Sequence, residues 1–271
     1  YFLAKAAKEF AVVFLSGDGG DEALAGYPEY ARVFRYQHLL NPAARVASWV
    51  FPLSKRLLWP NSRVGEIFAR LSPGPTSYGA LFRQNPRYPL WRHILKPEWQ
   101  ISDAELEAPL WKVWQECEDP DLVRRMRRFD YSLYLESDVL TKVDCATMAH
   151  SIEARGPMLD HRFVELGMQI PTSALIVGGQ GKMPLRKLAA RSFPKEITDL
   201  PKSGFGLPMD LWVQQSFGQE VAQSLTVRDS ATADLLNISH LQQLFRWSKD
   251  QRGLGVHEFI FRLHVLNQWA A

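Results

Sequence analysis

The chain is 271 residues long, and 32 lysines and arginines against 29 acidic residues give a net charge of +3 with histidine neutral. That excess is too mild for a nucleic-acid binder, which carries a dense basic stripe. An apolar fraction of 46%, with nine Trp, eight Tyr and 15 Phe, excludes disorder as the main state.

In chain order, the first predicted element is a helix over Leu3 to Phe10. The chain has no starting Met and begins inside this helix, so an upstream segment is expected. Val12-Val13-Phe14-Leu15 is a short apolar run ended by Ser16-Gly17, the pattern of a parallel-sheet strand buried on both faces. A helix follows from Asp21 through Tyr30 toward His38, with Asp21 and Glu22 at the positive end of its dipole. Ala43 to Trp59 is the most apolar stretch, but Arg45, Pro52, Lys55 and Arg56 interrupt it, so no membrane span and no membrane partner are expected. No signal peptide is visible either. Pro60 to Pro97 holds six of the 17 prolines and reads as short helices with irregular connections.

From Asp121 the pattern is helical again, with a stripe of Leu122, Val123, Met126, Phe129 and Leu133. Arg124, Arg125, Arg127 and Arg128 interleave with it and read as a solvated face in preference to an anion site. Gly178-Gly179-Gln180-Gly181 is a turn leading into a helix from Pro184 to Arg191. Pro201 to Pro208 is a loop, and the last helix shows Phe259, Ile260, Leu263 and Leu266 on its apolar face. The fold expected is mostly helical, with one strand whose backbone needs a neighbour. Two cysteines, Cys117 and Cys145, make no disulfide framework and no zinc pattern, which suits a cytoplasmic protein.

The chemistry concentrates in Ser16-Gly17-Asp18-Gly19-Gly20-Asp21-Glu22, where a strand gives way to a helix. Glycines there let backbone N–H groups approach a ligand, and two aspartates can hold Mg²⁺ beside substrate phosphates. The segment matches neither G-x-x-x-x-G-K-[ST] nor G-x-G-x-x-G, because Glu22 takes the last position of the second. An acidic turn that merely caps a helix is the competing reading.

Val12 to Glu22 followed by Gly26-Tyr27-Pro28 resembles a segment of the glutamine-dependent asparagine synthetases. Three further segments resemble that family in the same order. They are Leu140 to Asp144 with Met148-Ala149, Glu153-Ala154-Arg155, Pro157, Leu159 and Asp160; Gly181-Lys182 with Leu185-Arg186; and Lys202, Gly204-Phe205-Gly206, Pro208 and Trp212. The resemblance implies the C-terminal part of an α/β ATP-pyrophosphatase domain of the adenine nucleotide α-hydrolase type, with a parallel sheet and a helical C-terminal region.

It also implies activation of the aspartate side chain by ATP and Mg²⁺, then attack by ammonia on the acyl-adenylate. By match, Ser16 and Gly17 contact ATP, Asp18 serves the intermediate and ammonia attack, Asp21 holds Mg²⁺, and Lys182 stabilises charge at phosphorus. Glu153 and Arg155 read as a structural or substrate-orienting charge network. The partners implied are ATP and aspartate, with a homodimer as an admissible assembly.

The family's Ser-Gly-Gly pyrophosphate loop and its glutaminase cysteine do not occur in this sequence. The expectation is therefore one domain over 1–271, truncated, that does not complete adenylation by itself. Cys145, Thr147 and Gly156 depart from the residues usual in the family. Those departures leave open a relative that amidates or cyclises another carboxylate. A non-catalytic helical scaffold is the third reading.

Overall fold

The structure is a computed structural model and describes residues 1–35, 91–198, 208–227, 230–248 and 256–271. The Ala43–Trp59 stretch, most of Pro60–Pro97, His38 and most of the Pro201–Pro208 loop lie outside the described residues. The described chain is mostly helical with one small parallel sheet, and no described helix is long and apolar enough to cross a membrane. The chain divides into two compact units, one formed by 1–46 with 109–201 and the other by 47–108 with 202–271.

The first unit holds the sheet. Strand β1, Val13–Leu15, pairs in parallel with β2, Glu153–Arg155. The register sets Val13 opposite Glu153, Phe14 opposite Ala154 and Leu15 opposite Arg155. Hydrogen bonds from Glu153 N to Val12 O and from Ser16 N to Arg155 O, each 2.8 Å, extend the ladder at both ends. So β1 has the neighbour its backbone needs, but it is not buried on both faces: Val12 is 65% exposed and Leu15 76%. β2 is its one strand partner among the described residues, and a two-stranded ribbon covers little of its own side chains.

The helix expected over Leu3 to Phe10 spans Phe2–Ala7 and ends in a turn. The helix expected from Asp21 toward His38 is interrupted. Gly20–Ala23 is a single helical turn, Ala25 takes a left-handed φ of 55°, and helix resumes over 28–35. The left-handed residue reverses the chain, and Pro28 restarts the helix at a position where its missing N–H costs nothing.

Leu122–Phe129 is capped by Asp121, whose carboxylate accepts from Val123 N at 3.0 Å and Arg124 N at 3.1 Å. It runs without a break into a π-helical stretch, Asp130–Leu140, and then into Thr141–Met148. The predicted stripe faces inward, with Val123, Met126 and Phe129 buried. Helix His161–Gln169 follows, capped by Asp160. The glycine turn closes a two-residue hairpin in which Val177 and Gln180 exchange hydrogen bonds of 3.0 Å. Gly178 and Gly179 take φ of 60° and 80°, the left-handed pair such a tight turn demands. The helix after it is Met183–Ala189, close to the predicted bounds.

The second unit packs helices Met209–Gln214, Ser216–Thr226, Ile238–Ser248 and Val256–Ala270 around Val221, Leu225, Leu241, Leu244 and Ile260. Ile260 and Leu263 of the predicted last stripe are buried, and Phe259 packs against the same core. Ile94 joins this core from a 3₁₀ turn, Trp91–Ile94, and Leu95 bridges to Leu236.

Candidate functional site

The acidic loop leaves β1 at Ser16, turns through Gly19 and enters the helical turn Gly20–Ala23. Gly19 has φ 83°, where a side chain would be strained, and a Cβ there would come within 2.5 Å of the Leu159 side chain. The 3₁₀ turn Pro157–Leu159 thus lies against the loop. This places the Pro157, Leu159 and Asp160 segment beside the loop, although the two lie far apart in sequence.

Lys182 arrives from a third segment. It takes a left-handed φ of 59° at the start of helix Met183–Ala189, and its N–H donates to Leu24 O at 3.0 Å. Its Nζ lies 3.1 Å from Asp21 Oδ1, with both side chains about three-quarters buried, at 27% and 25% exposure. The approach is close. A Cβ on Gly26 would fall 2.1 Å from Asp21 Oδ1 and 2.2 Å from Lys182 Cε. A Cβ on Gly181 would fall 1.8 Å from Ala25 O. Small residues on both segments are what bring the lysine to the carboxylate.

The other predicted residues are placed less directly. Ser16 is half-buried and tied by its backbone to Arg155, whereas Gly17 is exposed with open space beyond its Cα. Asp18 is half-buried, with no hydrogen-bond or ion-pair partner among the described residues. Glu153 and Arg155 share one face of β2 and pair with each other at 2.8 Å. The guanidinium holds the Glu153 carboxyl below its ordinary range. Both are exposed, and neither touches Asp18, Asp21 or Lys182 through a side-chain hydrogen bond or ion pair.

Beneath the loop lies a buried polar layer that the sequence reading did not single out. Glu22 is 1% exposed and accepts a hydrogen bond of 2.6 Å from the Tyr27 hydroxyl. Burial pushes the Glu22 carboxyl above its ordinary value, the tyrosine bond opposing it. Tyr30, fully buried, donates to Asp130 at 2.7 Å.

Arg127 is the clearest departure from expectation. It is not on a solvated face but 0% exposed, and it donates to Glu22 O at 2.8 Å, to Ala23 O and to Gly167 O at 2.7 Å. Arg124 and Arg125 also have partners, Asp119 for the first and Trp114 for the second. Arg127 follows Val123 by four residues, so the helical period already put it on the inward face. Its charge argued the other way, and the backbone carbonyls that decide the matter come from distant segments.

Among the described residues no group of three or more His, Cys, Asp or Glu side chains could hold a metal by itself. What the loop offers is one or two carboxylates, a lysine and exposed glycine backbone, an arrangement suited to a phosphate-bearing ligand with a divalent cation.

Comparison with known proteins identifies the family of the whole chain. Residues 1–270 match the family described as asparagine synthase. A Mycobacterium tuberculosis protein bearing the name "Putative asparagine synthetase [glutamine-hydrolyzing]" is 29% identical over 253 residues, covering 90% of this chain and 37% of that protein. A Bacillus subtilis protein, "Asparagine synthetase [glutamine-hydrolyzing] 1", is 26% identical over 254 residues, covering 90% of this chain and 38% of that protein. The chain therefore spans less than two fifths of the length of these curated relatives. No solved structure matches it. A match over nearly every residue places the chain in the asparagine synthase family.

Proposed function

We propose that this chain is the C-terminal portion of an ATP-dependent amide ligase that converts aspartate to asparagine through a β-aspartyl-AMP intermediate. The ammonia comes from glutamine through a glutaminase domain outside the chain. The observation that carries the reading is the 3.1 Å contact between Lys182 Nζ and Asp21 Oδ1. It joins the two segments that the resemblance assigns to nucleotide chemistry. Family membership supports the reaction class.

Ser16 and Gly17 contact the nucleotide, and the exposed Gly17 leaves its backbone open to a ligand. Asp21 suits Mg²⁺, which takes one or two carboxylates and leaves the remaining positions to water and phosphate. When bound, the cation offsets charge on the phosphate oxygens.

In the first step an aspartate carboxylate oxygen bonds to the α-phosphorus and pyrophosphate leaves. Negative charge spreads over the phosphate oxygens, and the Lys182 ammonium stabilises it. Before substrate arrives the Asp21 carboxylate holds that ammonium in the loop, and phosphate oxygens then compete for it. In the second step ammonia bonds to the acyl carbon, AMP leaves, and the nitrogen sheds a proton. Asp18, half-buried on the loop, accepts it in this reading. Glu153 and Arg155 hold β2 or orient substrate through their mutual ion pair. Unpaired Cys117 and Cys145 suit a cytoplasmic setting.

The test is pyrophosphate release by the natural full-length protein supplied with ATP, Mg²⁺, aspartate and ammonia. Lys182→Ala is expected to slow release by about 10²–10³, the scale of losing one preorganised donor. Release that responds to another carboxylate and not to aspartate moves the reading to a relative with a different substrate. Release from ATP that no carboxylate stimulates refutes amide ligation. The 271-residue chain alone is expected to release none.

A further inference from the structure

The helical turn Gly20–Ala23 is too short to satisfy its own C-terminal carbonyls. The chain reverses at Leu24–Ala25, so Gly26 N returns to Asp21 O and Leu24 N to Gly20 O. The carbonyls of Glu22 and Ala23 are met instead by a side chain far away in sequence, Arg127. A third donor contact reaches Gly167 O, on helix His161–Gln169. That helix comes so close that a Cβ on Gly167 would lie 2.5 Å from Ala23 O. One guanidinium thus ties three backbone carbonyls from two elements, in a place where it is 0% exposed.

A buried cation is costly, and such a group stays in place only where its hydrogen bonds repay desolvation. Here it meets carbonyls at a helix C-terminus, the end that favours positive charge. Burial pushes the guanidinium down to about 10, so it remains charged at neutral pH. The planar fork can address several acceptors at fixed angles, which an ammonium cannot do.

The segment Arg127 grips carries Asp21 and anchors Lys182, the two residues of the proposed phosphate chemistry. Asp21 is one residue before Glu22, and Lys182 is anchored to Leu24 O one residue after Ala23. We propose that Arg127 is the positioning residue of this site: its bonds to Glu22, Ala23 and Gly167 fix the segment whose two ends hold Asp21 and Lys182 together. The proposal rests on the reading that Asp21 and Lys182 act on a phosphate-bearing substrate, but its test does not.

The first readout is the reactivity of the Lys182 amine in the full chain, measured by competitive acetylation with acetic anhydride and mass spectrometry. In the wild type the contact with Asp21 and the partial burial of Lys182 are expected to slow its labelling. Arg127→Ala is expected to raise its labelling rate at least about fivefold relative to Lys112, the scale of leaving buried carbonyls unsatisfied. Added guanidinium at millimolar concentration is expected to restore protection, and Arg127→Lys to fall between the two. Far-ultraviolet circular dichroism checks that each variant is folded.

The second readout is Mg²⁺-dependent ATP affinity by calorimetry, expected to weaken in the same order. If the wild type binds no MgATP, the functional reading suffers while the lysine labelling still decides the role of Arg127. A folded Arg127→Ala variant with unchanged Lys182 labelling overturns the proposal. So does loss of protection that guanidinium does not restore, because that result assigns the effect to packing rather than to the hydrogen bonds. If Arg127→Ala does not fold, Arg127→Lys decides, and wild-type labelling in that variant overturns the proposal.

Discussion

At the scale of single residues, the site depends on charges placed where charge is expensive. Glu22 is buried against the Tyr27 hydroxyl, and burial raises its carboxyl above the ordinary 4.5. A raised value means that the folded state binds the proton more tightly than the unfolded state. The resulting stabilisation is fully present below 4.5 and is lost as pH climbs through the raised value. Glu22→Gln keeps an acceptor for Tyr27 and removes the ionisation. Thermal unfolding should therefore show its Tm rising relative to wild type from about pH 4.5 upward; a constant gap across that range would mean that Glu22 ionises without penalty. Lys182 illustrates what residue type alone could reveal. Its resemblance to a known motif was legible, yet its left-handed backbone and its pairing with Asp21 depend on Gly26 and Gly181, which make room for it.

At the scale of elements, local signals were strongest where the chain satisfies itself. Asp121 caps Leu122–Phe129 through two backbone bonds and also accepts from the Thr172 hydroxyl at 2.6 Å. Asp121→Ala removes both functions and should destabilise the chain by about 1–2 kcal/mol, read as a lower urea midpoint. Ser102 and Glu105 form a reciprocal box at the start of Asp103–Glu116, the hydroxyl accepting from Glu105 N while the carboxylate accepts from Ser102 N. Strand β2 was not legible. Glu-Ala-Arg has little strand preference of its own, and it becomes a strand because β1 offers a ladder. The break between Gly20–Ala23 and the helix over 28–35 was missed for a related reason. Gly26 and Pro28 punctuate the pattern there, but the residue that turns the chain left-handed, Ala25, carries no such local signal.

At the scale of the whole molecule, each compact unit has its own apolar interior. In the helical unit Leu244 is 0% exposed within a core that includes Val221, Leu241 and Ile260. Leu244→Ala should cost about 2–5 kcal/mol, seen as a lower Tm or urea midpoint, with loss below about 1 kcal/mol indicating a core that collapses around the gap. The amino-acid sequence by itself determined the helical make-up, the first strand, the glycine hairpin and the ordered segments that reveal the family. These follow from short-range periodicity, turn chemistry and residue pattern, which need no distant partner. Tertiary structure decided that Lys182 meets Asp21, that Pro157–Leu159 lies on the loop, that Glu153–Arg155 is a strand and that Arg127 is buried. Each of these is a contact between segments far apart in the chain, and the free energy of such a contact depends on desolvation and close approach that no local window of sequence contains.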